Sequence, residues 1–152
     1  MHAWASAAQR STGGRVTRAE TIHLTLAFLG EVEEARVPAL MEFSFEAERH
    51  VLPIEQTRYW PRSRIVWAGP LETPEGLLSL FGQLKEQLQS RKFKFERRPF
   101  AAHITLIRKA WEPGDLPDLP AVDWPVAEVA LVRSRLAPDG PRYDIIRRFA
   151  LP

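Results

Sequence analysis

Two four-residue stretches, His23-Leu24-Thr25-Leu26 and His103-Ile104-Thr105-Leu106, repeat one pattern eighty positions apart. Both sit in β-prone runs, 21–29 and 102–107. A strand sends alternate side chains to opposite faces, so His and Thr share one face and the aliphatic residues turn into a core. Each strand therefore presents an imidazole beside a hydroxyl. A single such pattern is an ordinary mixture of polar and apolar strand residues. Its repetition is not ordinary, because the chain has only four histidines, His2, His23, His50 and His103. Two strands of this kind facing one cleft supply two titratable rings and two small hydrogen-bond donors, a set suited to an anionic substrate attacked with acid–base help.

Composition narrows the chemistry. The 152 residues are one domain's worth of chain, 45% hydrophobic and 26% charged, as in an ordinary globular protein. The chain has no cysteine, which removes disulfides, a thiolate nucleophile and cysteine-ligated zinc. No apolar run is long enough to span a membrane and no signal pattern opens the chain, so a cytoplasmic protein is expected. The net charge is only +2, but just four of the 21 basic residues are lysine. Arginine's planar fork suits phosphate, so the charge permits an RNA partner without requiring one.

Taken in order, residues 2–10 predict a short alanine-rich helix, stopped by Gly13-Gly14. The first motif strand follows, running to Gly30. Val37, Leu40, Met41 and Phe45 have helical spacing and predict a second helix from Glu31 to near His50, with Pro38 tolerable only near its start. Residues 51–59 and 64–68 read as strands. Thr73-Pro74-Glu75 predicts a capping hydroxyl and a proline in the first helical position, and Leu77, Leu80, Phe81, Leu84 and Leu88 give that third helix an apolar stripe. The basic segment 92–98, KFKFERR, reads as a solvated edge or loop more readily than as an RNA contact. The second motif strand comes next. A proline-rich loop or lid over 113–125 leads to a closing hairpin, 126–136 and 143–151, turned by Pro138-Asp139-Gly140. Strands and helices mix without strict βαβ alternation, which predicts an α+β fold with mainly antiparallel pairing. Ile104 and the leucines at 24, 26 and 106 are expected to be buried.

HLTLAFLG at 23–30 and RPFAAHITLIRKA at 98–110 resemble the two signatures of the two-histidine phosphoesterases, closest to the RNA 2′,3′-cyclic phosphodiesterases also called 2′-5′ RNA ligases. RIVWAGP and LVRSRLAPDGPRYDII resemble that family's strand before the long helix and its closing hairpin, so the likeness spans almost the whole chain. It implies a single two-lobed domain over 1–152, with pseudo-two-fold related antiparallel sheets flanked by helices and one motif on each wall of a central cleft. Two positions depart from the family pattern. The usual first strand ahead of the first helix is lacking, which leaves a neighbouring strand edge unpaired. The residue before the second motif, often proline, is Ala102.

The resemblance also implies a reaction, hydrolysis of 2′,3′-cyclic phosphate ends of RNA to 2′-phosphomonoesters by a monomer. In it His23 is the proton donor, His103 the proton acceptor, and Thr25, Thr105 and Arg108 contact phosphate. The motifs are symmetrical, so the residues themselves do not assign the two histidine roles. Strict alternation sends Arg108 to the face opposite Thr105; a twist or bulge at the strand end would bring it back. No metal or cofactor is expected, because each motif offers one strong ligand and no carboxylate. A non-catalytic binder of RNA ends, and a related activity on 2′,5′ linkages or small cyclic nucleotides, fit the same residues.

Overall fold

Alanine lets a short helix form at the start of the chain: α1 (His2–Thr12) buries Trp4, Ala5, Ala8 and Thr12. It ends where Gly13 and Gly14 take positive φ, 60° and 75°. The computed structural model describes all 152 residues. They form two compact units, each gathered from three separated stretches. The first holds 1–26, 52–73 and 99–124; the second holds 27–51, 74–98 and 125–152.

In the first unit, β1 (Arg15–Val16) follows α1 and a 3-10 turn occupies Ala19–Thr21. β2 (His50–Ile54) enters from the second unit's residues, and β3 (Gln56–Trp60) and β4 (Ile65–Gly69) form a hairpin. The run 51–59 is thus two strands, broken at Glu55, whose N–H donates to Gly69 O. The 61–64 turn is stapled by Arg64, which donates from Nε to Ala110 O and from Nη2 to Lys109 O.

Later in sequence comes α3 (Glu75–Ser90), after the short α2 (Val37–Met41). Beyond α3, β5 (Ile104–Arg108) inserts between β1 and β4, giving an antiparallel sheet of order β1-β5-β4-β3. Its buried side chains, Val66, Ala68, Ile104, Leu106 and Ile107, carry no exposed surface. β2 pairs separately with β6 (Val122–Val126).

The second unit holds α2, α3 and the hairpin β7 (Glu128–Ala137) and β8 (Gly140–Ala150), turned at Pro138-Asp139 as expected. Leu77, Leu80 and Leu88 of the α3 stripe are buried, with Phe81 and Leu84 partly so. Pro74 is the residue preceding the first turn, one position earlier than expected, and no side chain caps it. The segment 92–98 is a loop, with Phe93 buried beneath the Arg36 guanidinium.

Two expected elements are different. The second helix is one 3-10 turn, Glu34–Arg36, plus the five residues of α2, with Pro38 at its start. Beyond Met41 the burial alternates: Phe43, Phe45 and Ala47 point inward and their neighbours outward. Phe45 fits both periods, and the strand-like one wins. No ladder partner satisfies this stretch; α3 side chains do. Gln87 accepts from Ser44 N and donates to Ser44 O, and Gln83 accepts from the N–H groups of Glu46 and Ala47. These amides replace a strand's hydrogen bonds for backbone that would otherwise be left unpaired.

The first motif, 21–29, is likewise not a regular strand. It touches the sheet at one bridge, Leu24 to Ile104. The adjoining edge of β5 is already taken, by β1 opposite residues 107 and 108 and by Thr17 N donating to Leu106 O. Ile104 and Leu106 are fully buried as expected, whereas Leu24 and Leu26 are only half-buried, as suits a segment paired at one point.

Gly14 shows how closely the α1–β1 corner lies on β5. A Cβ there would collide with Arg108 O, and φ is already left-handed. Gly14→Ala is expected to lower unfolding free energy by roughly 2–4 kcal/mol, measured by urea denaturation.

Candidate active site

The bridge between Leu24 and Ile104 is antiparallel. One residue further in each direction, Thr25 lies opposite His103 and His23 lies opposite Thr105. All four turn to the face away from buried Ile104. Directly opposed residues have Cβ atoms ~5 Å apart and diagonal ones ~7–8 Å. The histidines are the diagonal pair, so each imidazole has the other motif's threonine across from it. Residues 23–26 and 103–106 both fall among the stretches of the first unit, and they meet at that one bridge.

The two rings are held alike. His23 Nδ1 is 2.6 Å from Thr21 O, and His103 Nδ1 is 2.8 Å from Ala101 O. A carbonyl only accepts, so each Nδ1 carries the proton and each Nε2 is left to exchange one. At His23, Nε2 is 3.1 Å from the Thr25 hydroxyl, which donates to it when the ring is neutral. His23 is exposed and His103 half-buried.

The His103 ring packs edge-on to Trp60, with centroids 4.6 Å apart, and lies 6.3 Å from Trp67. These tryptophans were not legible as site residues. They stand 43 and 36 positions before His103, and only the register, Trp67 opposite Thr105, brings them to this face. Gly69 clears space for the same segment, since a Cβ there would meet Ala102 O at 2.6 Å.

Arg108 is brought back to the motif face by a bulge. Val66 pairs with Ile107 and Trp67 with Thr105, so β5 spends one extra residue against β4. Neighbours Val66 and Trp67 face opposite ways, and their partners must too. Ile107 therefore joins Leu106 in the core, both fully buried, and Arg108 turns out beside Thr105. Directly opposite Arg108 stands Arg15. Like charges so placed repel, and neither arginine has an ion-pair partner. Two positive charges without a counter-charge thus stand side by side at this end of the face. No three His, Asp or Glu side chains converge to hold a metal ion.

The fold and paired motifs match a known class. The LigT like phosphoesterase family model aligns with residues 1–67 and 69–143. This chain belongs to that family. It is 37% identical over 142 residues to the RNA 2′,3′-cyclic phosphodiesterase of Escherichia coli, covering 91% of this chain and 80% of that one. The enzyme of the same name from Thermus thermophilus is 36% identical over 143 residues, 86% of this chain and 72% of that one. The crystal structure of E. coli LigT complexed with 3′-AMP superposes with a TM-score of 0.85 at 33% identity, over 98% of this chain and 87% of that one.

The shared Nδ1 geometry has a spectroscopic consequence. In long-range ¹H–¹⁵N spectra at alkaline pH, both His23 and His103 are expected to be neutral with the proton on Nδ1. An Nε2–H tautomer at either ring would contradict the carbonyl contacts.

Proposed function

We propose that this protein hydrolyses the 2′,3′-cyclic phosphate at RNA ends to a 2′-phosphomonoester, without a metal ion. The observation that carries the reading is the antiparallel juxtaposition of the two motifs, with each Nδ1 committed to a carbonyl and each Nε2 left for proton exchange. A tetrahedral phosphate suits two rings that spring from diagonally opposed positions, whose backbones are ~7–8 Å apart.

In the reaction, His103 Nε2 takes a proton from water as the water oxygen bonds to phosphorus. The bond from phosphorus to the ribose 3′ oxygen breaks, and His23, protonated at Nε2, gives that oxygen its proton. The proton gained by one ring balances the proton lost by the other. The order of roles follows the resemblance, since the local geometry of the two rings is alike. Thr25 and Thr105 hydroxyls donate to the non-bridging oxygens, where charge builds in the transition state. The Arg108 guanidinium binds the same phosphate, and its repulsion from Arg15 is relieved when the anion arrives. Names of relatives support the substrate: curated proteins 31–37% identical to this chain are RNA 2′,3′-cyclic phosphodiesterases. The Trp60 and Trp67 rings beside His103 are compatible with a nucleotide base nearby. We take the active form to be one two-lobed domain, acting as a monomer in the cytoplasm; no helix is long and apolar enough to cross a membrane.

Turnover of a short RNA ending in a 2′,3′-cyclic phosphate tests this. His23→Ala and His103→Ala should each lower kcat by roughly 10²–10⁴-fold. EDTA should leave the wild-type rate within about twofold, and kcat/KM should fall on both sides of its pH optimum. Near wild-type turnover by either variant would sink the mechanism.

A further inference from the structure

The motif face continues past His103 and Thr105 onto the neighbouring strands. Trp67 lies opposite Thr105, and Arg58 lies opposite Trp67, so one row crosses three strands of the sheet. Adjacent strands are ~4.8 Å apart, which puts the Arg58 backbone ~10 Å from that of Thr105. Arg58 is exposed and makes no ion pair.

Its guanidinium is nonetheless held. Arg58 Nε donates to Gln56 Oε1 at 2.8 Å, and Gln56 Nε2 donates to Pro70 O at 2.7 Å. The Gln56 amide is thereby fixed at both ends, and it fixes Nε alone. Both Nη groups of the fork remain available, the arrangement that binds a phosphodiester's two non-bridging oxygens. Immobilising the side chain beforehand reduces the entropy lost on binding.

Along its open edge β3 borders a groove of about 680 Å³ that runs to residues 112–119, and Arg58 and Gln56 line it together with Glu55, Glu112, Asp115 and Asp118. Those carboxylates repel a polyanion, so a phosphodiester held by Arg58 is favoured over the sheet, on the side of His103.

We infer that Arg58, positioned by Gln56, is a subsite for the phosphodiester next to the reacting one, so that the preferred substrate is an RNA end rather than a cyclic mononucleotide. This rests on the cyclic phosphodiesterase reading and adds the part of the substrate that is recognised beyond the reacting phosphate.

The test compares a short RNA ending in a 2′,3′-cyclic phosphate with 2′,3′-cyclic AMP. Arg58→Ala should lower kcat/KM on the RNA roughly tenfold, mainly through KM, and change it less than twofold on cyclic AMP. Arg58→Lys should recover part of the loss, because it keeps the charge and loses the fork. Gln56→Ala should give a smaller loss with the same bias toward RNA. The slope of log affinity for RNA against log salt should shrink by about 0.7, one single-strand phosphate contact. Equal losses on both substrates, or none on the RNA, would overturn the subsite. If wild type hydrolyses neither substrate, equilibrium binding decides separately. Arg58→Ala should then still weaken an RNA ending in a 2′-phosphate and spare 2′-AMP, and equal effects on both would reject the subsite alone.

Discussion

The rotation of β5 about its own axis is the constraint on which the site depends. Ile104, Leu106 and Ile107 are each fully buried, and burying an aliphatic side chain of that size is worth about 1.5–3 kcal/mol. Turning the strand to expose any of them would forfeit that energy, so the strand is locked. What remains, His103, Thr105 and Arg108, is forced to the opposite side. The bulge against Val66 and Trp67 makes this possible. Without it, burying Leu106 would expose Ile107, and Arg108 would be driven into the core with its charge unpaired. The same strand receives the first motif, because Leu24 bridges Ile104. One locked strand therefore positions both halves of the pair.

The histidine–carbonyl bond needs a different interpretation from the one its doubling first suggests. His50, in the second unit, makes the same contact, Nδ1 to Glu48 O at 2.9 Å. A histidine in extended backbone reaches the carbonyl two residues before it as a matter of local geometry. The bond fixes a tautomer and does not by itself mark a catalyst. The difference lies at the other nitrogen. His50 Nε2 is buried without a partner, beside Gly76, where an added Cβ would strike its ring. His23 Nε2 meets a hydroxyl, and the His103 ring lies against two indoles. Three rings share an orientation, and only His23 and His103 stand on the face shared with Thr25 and Thr105.

Much of this was legible in the sequence because it is periodic or repeated. The two motifs, the α3 stripe and the closing hairpin all declare themselves within a few residues. The failures have a common origin in residues whose pattern is compatible with two periods. Phe45 follows Val37 and Leu40 at helical spacing, yet it also alternates with Phe43 and Ala47, and the glutamines of α3, some 40 positions away, settle the matter. Arg108 was ambiguous for the same reason, since a bulge is written in the pairing of two strands and not in either strand alone. Trp60 and Trp67 carry no local sign that a histidine will stand beside them. Register decides all of these, and register is a property of partners.

That dependence on partners extends to how the site comes into being. Leu24 and Ile104 are eighty positions apart, and the first unit is gathered from three stretches separated by the second unit's residues. Contacts this distant in sequence reward the chain only after a long loop has been closed, and they form slowly. Neither motif is arranged for chemistry by itself. The first has no backbone partner until β5 is present to bridge it, and β5 has no reason to bulge until β4 lies alongside. The two motif histidines are thus brought together by the least local contact of the first unit's sheet. A substitution that weakens the packing of Ile104, Leu106 or Ile107 therefore acts on the strand that carries His103, Thr105 and Arg108 as well as on the core.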